Sequence, residues 1–386
     1  MSDLAIENIP GFLYNAFMRT IAFTGGGTGG HIYPGLAVAT QLKKQLDNQG
    51  FDYKIFWIGS SSGPDRSIVQ DAGIEFFGVP SGKLRRYFSL RNIVDIFKII
   101  GGFFTARKIL KKQKANLLFS KGGFVSVPPC AAAASLGIKV FTHESDFSPG
   151  LATKINTCFV SRTKGRIFTA YEDTLRFFPQ EIHSIITVSG NPVRETFRCP
   201  DPVKGRAFLG LGQDERILLV LGGSQGAKEI NDLVRDSIEQ LTKVYTVVHQ
   251  TGPNLLNDVP AGERYKPFAY FKEEMPHVMA ASEIVMGRSG AGIWEWAVLG
   301  KPMLLIPLKG SGTRGDQVEN ARYFQQMGAA QVVSSIEEVV DAVNCLALDD
   351  NKREALASAS AKIGEKDGVK LITQVLTEEI IDLFHS

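Results

Sequence analysis

The chain has 386 residues, 44% of them hydrophobic and 22% charged, and its 43 Lys and Arg against 40 Asp and Glu leave a net charge of +3. That length holds two domains, the composition is that of an ordinary globular protein, and so small a net charge gives no argument for nucleic acid as a partner. Cys130, Cys158, Cys199 and Cys345 stand far apart without ligand spacing, which argues against a structural zinc, and no apolar run reaches the ~18 residues of a membrane span.

Residues 1–18 read as an extension ahead of the first strand; Asp3 and Glu7, with no basic stretch, make a poor signal peptide. Ile21-Ala22-Phe23-Thr24 predicts a strand that runs into Gly25-Gly26-Gly27-Thr28-Gly29-Gly30-His31, and an apolar helix pattern follows from Leu36. A glycine turn between strand and helix lets backbone amides approach an anionic or sugar ligand, and it also serves as a plain packing turn. Gly25, Gly27 and Gly30 make a GxGxxG match, a weak signal alone, and the loop lacks the Gly-Lys-Ser/Thr ending of a P-loop. His31 beside the glycines is a candidate base or phosphate donor, or a structural residue of the helix start.

Strand-like runs at 54–58, 117–119 and 140–142 each end in small or polar residues: Gly59-Ser60, Ser120-Lys121-Gly122-Gly123 and His143-Glu144. Alternation of such runs with helical stretches predicts a doubly wound parallel sheet, with ligands at the strands' carboxyl ends. Between Lys83 and Lys121 there are eleven Lys and Arg and a single acid, Asp95, interleaved with aliphatic and aromatic residues. This reads either as a helix with a solvated face or as a basic, apolar surface for an anionic membrane.

Ser189-Gly190-Asn191-Pro192-Val193-Arg194 carries a turn signal and marks the hinge between two halves. The second half repeats the pattern. Ile217–Leu221 enters Gly222-Gly223-Ser224-Gln225-Gly226-Ala227, whose hydroxyl and amide among glycines suit phosphate or sugar oxygens at a helix N-terminus. Strand runs at 245–249, 284–287, 303–307 and 331–333 follow, then helices at 336–348, 352–363 and 369–384. After 284–287 comes Arg288-Ser289-Gly290-Ala291-Gly292 with Trp294 and Glu295; a carboxylate there can accept from both hydroxyls of a ribose. Asp316, Gln317 and Asn320 follow the next strand. No Asp-x-Asp pair exists in the chain, so a sugar-nucleotide site here is expected to neutralise diphosphate with helix dipoles and side-chain donors, without a metal or other cofactor.

Taken together, the residues resemble the MurG family from about Thr20 to the last helix. The motifs are Gly26-Gly27-Thr28-Gly29-Gly30-His31 with Pro34-Gly35, Gly122-Gly123-Phe124-Val125-Ser126, His143-Glu144, Gly190-Asn191-Pro192-Val193-Arg194, Gly222 to Ala227, and Arg288-Ser289-Gly290-Ala291. The resemblance implies a GT-B fold, an α/β architecture of two Rossmann-like parallel-sheet domains facing a cleft. The expected division is 19–192 for an acceptor- and membrane-facing domain, 193–365 for a UDP-sugar domain, and a helix at 366–386 packing back on the first.

It also implies an inverting transfer of N-acetylglucosamine from UDP-N-acetylglucosamine to the 4-hydroxyl of N-acetylmuramic acid on lipid I, forming lipid II. The place implied is the cytoplasmic face of the inner membrane, with an anionic membrane surface as partner. By the same resemblance Thr28, Gly29 and Gly30 line the donor sugar and diphosphate, Arg194 and Ser224 meet the diphosphate, Lys272 binds uracil through its backbone, Ala291 to Glu295 form the nucleotide turn with Glu295 on the ribose, and Gln317 holds the sugar. His31 is the favoured base, with Asp146 and His143 behind it. One departure stands out: the family's usual His-Glu-Gln-Asn is His143-Glu144-Ser145-Asp146 here, so Asp146 offers an acceptor in place of an amide. Alternatives on the same motifs are a GT-B transferase acting on diacylglycerol and a UDP-sugar epimerase; a non-catalytic nucleotide-sensing module would not need both His31 and Glu295.

Overall fold

Apolar β-rich runs separated by amphipathic helices fold, in the computed structural model, into two parallel sheets. The structure describes residues 18–27, 29–82, 90–223, 225–254, 262–308 and 315–385. The first unit begins with β1 (Arg19–Thr24), α1 (Gly29–Asn48), β2 (Tyr53–Ser60), α2 (Asp65–Asp71), β3 (Glu75–Val79) and α3 (Leu90–Lys112). It continues through β4 (Leu117–Ser120), α4 (Val127–Ser135), β5 (Lys139–Glu144), α5 (Leu151–Arg162), β6 (Ile167–Thr169) and β7 (Ile186–Val188). Its strands lie in the order β3-β2-β1-β4-β5-β6-β7, all parallel. Chain direction across the sheet reverses between β1 and β4, and Thr24 pairs with both Ile58 and Ser120, so the loops after these strands emerge side by side. That is the topological switch point where parallel sheets hold ligands.

The second unit contains α6 (Pro202–Leu209), β8 (Ile217–Leu221), α7 (Lys228–Leu241), β9 (Thr246–Gln250), β10 (Tyr265–Phe268), α8 (Met275–Ala281) and β11 (Ile284–Gly287). It ends with α9 (Ile293–Val298), β12 (Met303–Leu305), α10 (Asp316–Gln326), β13 (Ala330–Val332), α11 (Ile336–Leu348) and α12 (Asp350–Gly364). The order is β10-β9-β8-β11-β12-β13, with its switch point between β8 and β11. Leu221 pairs with Gln250 on one side and Gly287 on the other, which aligns the ends of β9, β8 and β11.

By packing, the first unit comprises 1–144, 149–192 and 368–386, and the second 145–148 and 193–367. The last helix, α13 (Gly368–His385), therefore belongs with the first unit. It buries Ile372, Leu376 and Ile380 in the same cluster as Leu42 and Leu46 of α1, and Thr377 Oγ1 donates to Gln45 Oε1 at 2.9 Å. Four residues, Ser145–Ser148, leave the strand end of the first sheet and group with the second unit, because Asn320 of α10 grips them: Phe147 N–H donates to Asn320 Oδ1 at 2.9 Å.

Four strands lie outside the runs read from the sequence: β3, β6, β7 and β10. Each is short and flanks a strand already in the sheet; β7 and β10 close the edges and show mostly intermediate burial, so their apolar signal is diluted. Among the described residues, no helix is long and apolar enough to cross a membrane.

Candidate functional site

In the first unit the site is built on the loops after β1 and β4. Trp57 Nε1–H donates to the Gly25 carbonyl at 3.0 Å, and Gly35 makes room for this ring, since a Cβ there would lie 2.5 Å from Trp57 Cη2. Pro34-Gly35 is thus a packing signature that sets the glycine turn. Asp65, fully buried at the start of α2, accepts from the Gly27 amide with both oxygens at 3.2 Å and from the Ser60 amide at 3.2 Å. Gly26 must be glycine for the same reason: its Cβ would sit 2.0 Å from Asp65 Oδ2. The Gly27 amide is therefore engaged by a buried carboxylate, whose charge disfavours a diphosphate beside it and suits a neutral hydroxyl. Gly29 and Gly30 open α1, and His31 follows in its first turn, half-buried. The His31 ring lies on the loop after β4; a Cβ at Gly123 would come within 3.0 Å of its Cδ2. That loop is held from beneath: Ser126 Oγ donates to Gly123 O at 2.8 Å, Gly122 N–H to Ser120 Oγ at 3.1 Å, and Asn156 Nδ2 to Ser126 Oγ at 2.9 Å.

The pair His143-Glu144 faces inward. His143 is fully buried and its Nε2–H donates to Gly190 O at 3.0 Å, which ties the end of β5 to the Gly190-Asn191-Pro192 turn. Burial, and next to it the charge of Lys121, hold its pKa well below 6.5, so the ring is neutral. Glu144 caps α5: Oε2 accepts from the Gly150 amide at 2.9 Å and from Thr153 Oγ1 at 2.6 Å. Thus His143, a candidate base by sequence, sits away from solvent in a bracing position.

In the second unit the loops after β8 and β11 form the corresponding edge. The Gly222-to-Ala227 loop feeds the N-terminus of α7. Gly226 is demanded by packing, since its Cβ would fall 1.9 Å from Thr251 O, whereas a Cβ at Gly223, Gly290 or Gly292 would meet no protein atom within 4 Å. Arg288 braces the loop after β11: Nη1 donates to Ile306 O at 3.1 Å and Nη2 to Glu229 Oε2 at 2.6 Å. Glu295 stands in the first turn of α9 and accepts from Arg194 Nη2 at 3.1 Å; the Arg194 guanidinium also lies 4.8 Å from the centre of the Phe197 ring. Desolvation raises the Glu295 pKa above its ordinary 4.5, with Arg194 opposing the shift.

Gln317 Oε1 accepts from the Leu308 amide at 3.0 Å, and its carbonyl accepts from Ser289 Oγ at 2.7 Å. Asn320 Nδ2 donates to Asp146 Oδ1 at 3.3 Å and to Ser289 O at 3.0 Å, which brings Asp146 into this group. Lys272 N–H donates to Glu274 Oε2 at 3.1 Å. Arg194, Ala291, Glu295, Gln317 and Asp146 are all in the second unit. Thr28 and Ser224 lie outside the described residues. Sequence reasoning gave no site role to Asp65, Asn156, Trp57 or Ser120, although Trp57 lies in the 54–58 strand run and Ser120 ends the run at 117–119; their signal is their contact with the loops.

Two family models match the chain: the glycosyltransferase family 28 N-terminal domain at residues 21–164 and its C-terminal domain at residues 217–372. The UDP-N-acetylglucosamine–N-acetylmuramyl-(pentapeptide) pyrophosphoryl-undecaprenol N-acetylglucosamine transferase of Treponema denticola is 48% identical over 337 residues, 82% of this chain and 84% of that one. The same-named protein of Staphylococcus carnosus is 43% identical over 319 residues, again 82% and 84%. Among solved structures, Acinetobacter baumannii MurG superposes with a TM-score of 0.66 at 23% identity, covering 94% of this chain and 99% of that chain. A Neisseria meningitidis UDP-GlcNAc 2-epimerase bound to UDP-GlcNAc gives 0.63 at 15% identity, covering 94% and 100%. These two likenesses concern the fold, which is that of GT-B proteins. Matched in both halves and 43% to 48% identical to curated transferases over most of its length, the chain belongs to the MurG family of glycosyltransferases.

Proposed function

We propose that the chain is the inverting glycosyltransferase that moves N-acetylglucosamine from UDP-N-acetylglucosamine to the 4-hydroxyl of N-acetylmuramic acid on lipid I. The acceptor oxygen bonds to the anomeric carbon as the bond to the diphosphate breaks, its proton passes to a base, and UDP leaves with the electron pair, giving lipid II. The single observation that carries this reading is the pairing of Arg194 with Glu295 in the first turn of α9, after the loop that follows β11, in a chain whose relatives bear the transferase name. The Arg194 cation fits a diphosphate and the Glu295 carboxylate fits a ribose diol; binding replaces their mutual hydrogen bond with one partner each.

The roles follow. The α7 N-terminus with Ser224, and Arg194, neutralise charge on departing UDP. Lys272 flanks the uracil and Ala291 to Glu295 form the nucleotide turn. Asp146 and Gln317 receive the amino sugar, and Thr28, Gly29 and Gly30 line the donor sugar and diphosphate. His31 is the base; its ring is half-buried on the Gly122–Gly123 loop, whereas His143 is sealed in.

The anionic membrane surface is met by α3. Its Ala106 and Leu110 pack in the core, while Ile96, Phe97, Ile100 and Phe104 stand exposed at one-turn spacing beside exposed Arg107, Lys108, Lys111 and Lys112. Aromatic and aliphatic anchors among cations suit a leaflet on the cytoplasmic face of the inner membrane. The basic residues at 83–89 lie outside the described residues.

The test is transfer of labelled N-acetylglucosamine to a lipid I analogue with stoichiometric UDP release. Labelled diacylglycerol, or free sugar without acceptor, as the product would replace the proposal with one of its rivals.

A further inference from the structure

Gln250 is the last residue of β9 and is 3% exposed. Since β9 lies between β8 and β10, this side chain emerges between the loops that follow those strands. Its Nε2 donates to the Gly223 carbonyl at 3.0 Å, in the loop after β8. Its Oε1 accepts from the Phe271 amide at 2.9 Å, in the turn after β10. The two partners fix the amide orientation, because one is an acceptor and the other a donor. Neighbouring contacts stiffen the bridge. Thr251 N–H donates to Phe268 O at 2.9 Å, Asn231 of α7 donates from Nδ2 to Thr251 O at 3.0 Å, and a Cβ at Gly252 would lie 2.4 Å from Gln225 O. The loop feeding α7 thus rests directly on the segment that follows Gln250.

We propose that Gln250 is a positioning residue that fixes the spacing between the diphosphate-receiving loop and the uracil-receiving turn, so that both halves of UDP are gripped at once. This rests on the donor-site reading above and deepens it. Gln250 acts through the Gly223 and Phe271 backbones without touching the nucleotide itself. At neutral pH the amide serves both ends where a carboxylate cannot. Glutamate keeps the acceptor for Phe271 but turns a second acceptor toward the Gly223 carbonyl; methionine matches the length and offers neither group.

The experiment compares the parent, Gln250→Glu and Gln250→Met by calorimetric titration with UDP, uridine and pyrophosphate, alongside transfer kinetics and thermal melts. UDP affinity is expected to fall about tenfold or more in both variants, with uridine and pyrophosphate each changing less than about threefold. KM for UDP-N-acetylglucosamine rises while kcat stays within about twofold, the mark of lost uniform binding. At pH 5.5 the Glu variant regains affinity relative to the parent, because a protonated carboxyl can donate to Gly223 O. A parent that binds UDP beside a Glu variant of equal affinity overturns the clamp alone, as does an equal loss for all three ligands. A parent that does not bind UDP overturns the donor-site reading and the clamp with it. Should the Met variant fail to fold, the Glu variant, which retains the Phe271 bond, decides the matter.

Discussion

Replacing Phe97 and Phe104 by alanine tests the proposed membrane face of α3 directly. The two rings are 69% and 64% exposed, and Phe104 meets the Phe103 ring edge-on. A phenylalanine side chain offers roughly 200 Å², which leaves on the order of 130 Å² of each ring in water. At ~25 cal/mol per Å², inserting one ring into the acyl boundary is worth ~3 kcal/mol, and truncation to alanine removes ~2–3 kcal/mol of it. Each single variant should therefore weaken partitioning by ~30- to 150-fold, and the pair by more than ~10³-fold. Sedimentation with phosphatidylglycerol-containing vesicles reads the partition coefficient, and a thermal melt checks that the fold is unaffected. Reversing Lys108 and Lys112 to glutamate should weaken binding by ~1 kcal/mol or more per charge and flatten its salt dependence. If the double phenylalanine variant sediments as the parent does, the stripe is not the membrane anchor and the reasoning from exposure fails.

Three further outcomes are expected. His31→Ala should lower kcat by ~10²- to 10⁴-fold with UDP affinity nearly unchanged; retained turnover removes His31 as the base. Glu295→Gln should erase discrimination between UDP and 2′-deoxy-UDP, read by competitive titration. In the parent, UDP affinity should fall as pH drops through a midpoint above 4.5, because burial raises the Glu295 pKa and protonation removes the ribose acceptor; a variant that shows the same acid limb refutes that assignment. The third concerns stability. Burial holds His249 near pKa 3, whereas the unfolded chain takes up this proton near 6.5. Unfolding free energy is fully retained above pH 6.5 and is lost at up to ~1.4 kcal/mol per pH unit as the pH falls from there toward 3. His249→Gln should reduce that slope by about one proton in denaturant titrations between pH 6.5 and 4.5, and an unchanged slope would contradict the buried neutral ring.

Much of this molecule can be read from local patterns. β1, β2, β4, β5 and the strands of the second sheet's centre are short runs dominated by apolar residues, because both of their faces are covered, and buried polar residues such as Thr24, Ser120, Glu144 and Gln250 stand at their carboxyl ends. The glycine turns announce themselves for a related reason: Gly226 faces a carbonyl at a distance no Cβ tolerates, so composition and geometry coincide. The edge strands β7 and β10 carry no such signature, being short and half-covered.

The sequence by itself determined the fold class, the places where loops gather at the strand ends, and the residue types offered there, since each depends on interactions between neighbours along the chain. Tertiary structure alone decided which candidates face inward. His143, a candidate base by sequence, lies buried with its Nε2–H on Gly190 O, and Glu144, marked only as part of its motif, caps the start of α5. Asp65 and Gln250 belong to no motif, yet hold glycine loops 38 and 27 positions away along the chain. A hydrogen bond between residues so far apart leaves no periodicity in either segment, and only the packing of strand order into a sheet brings the partners within reach.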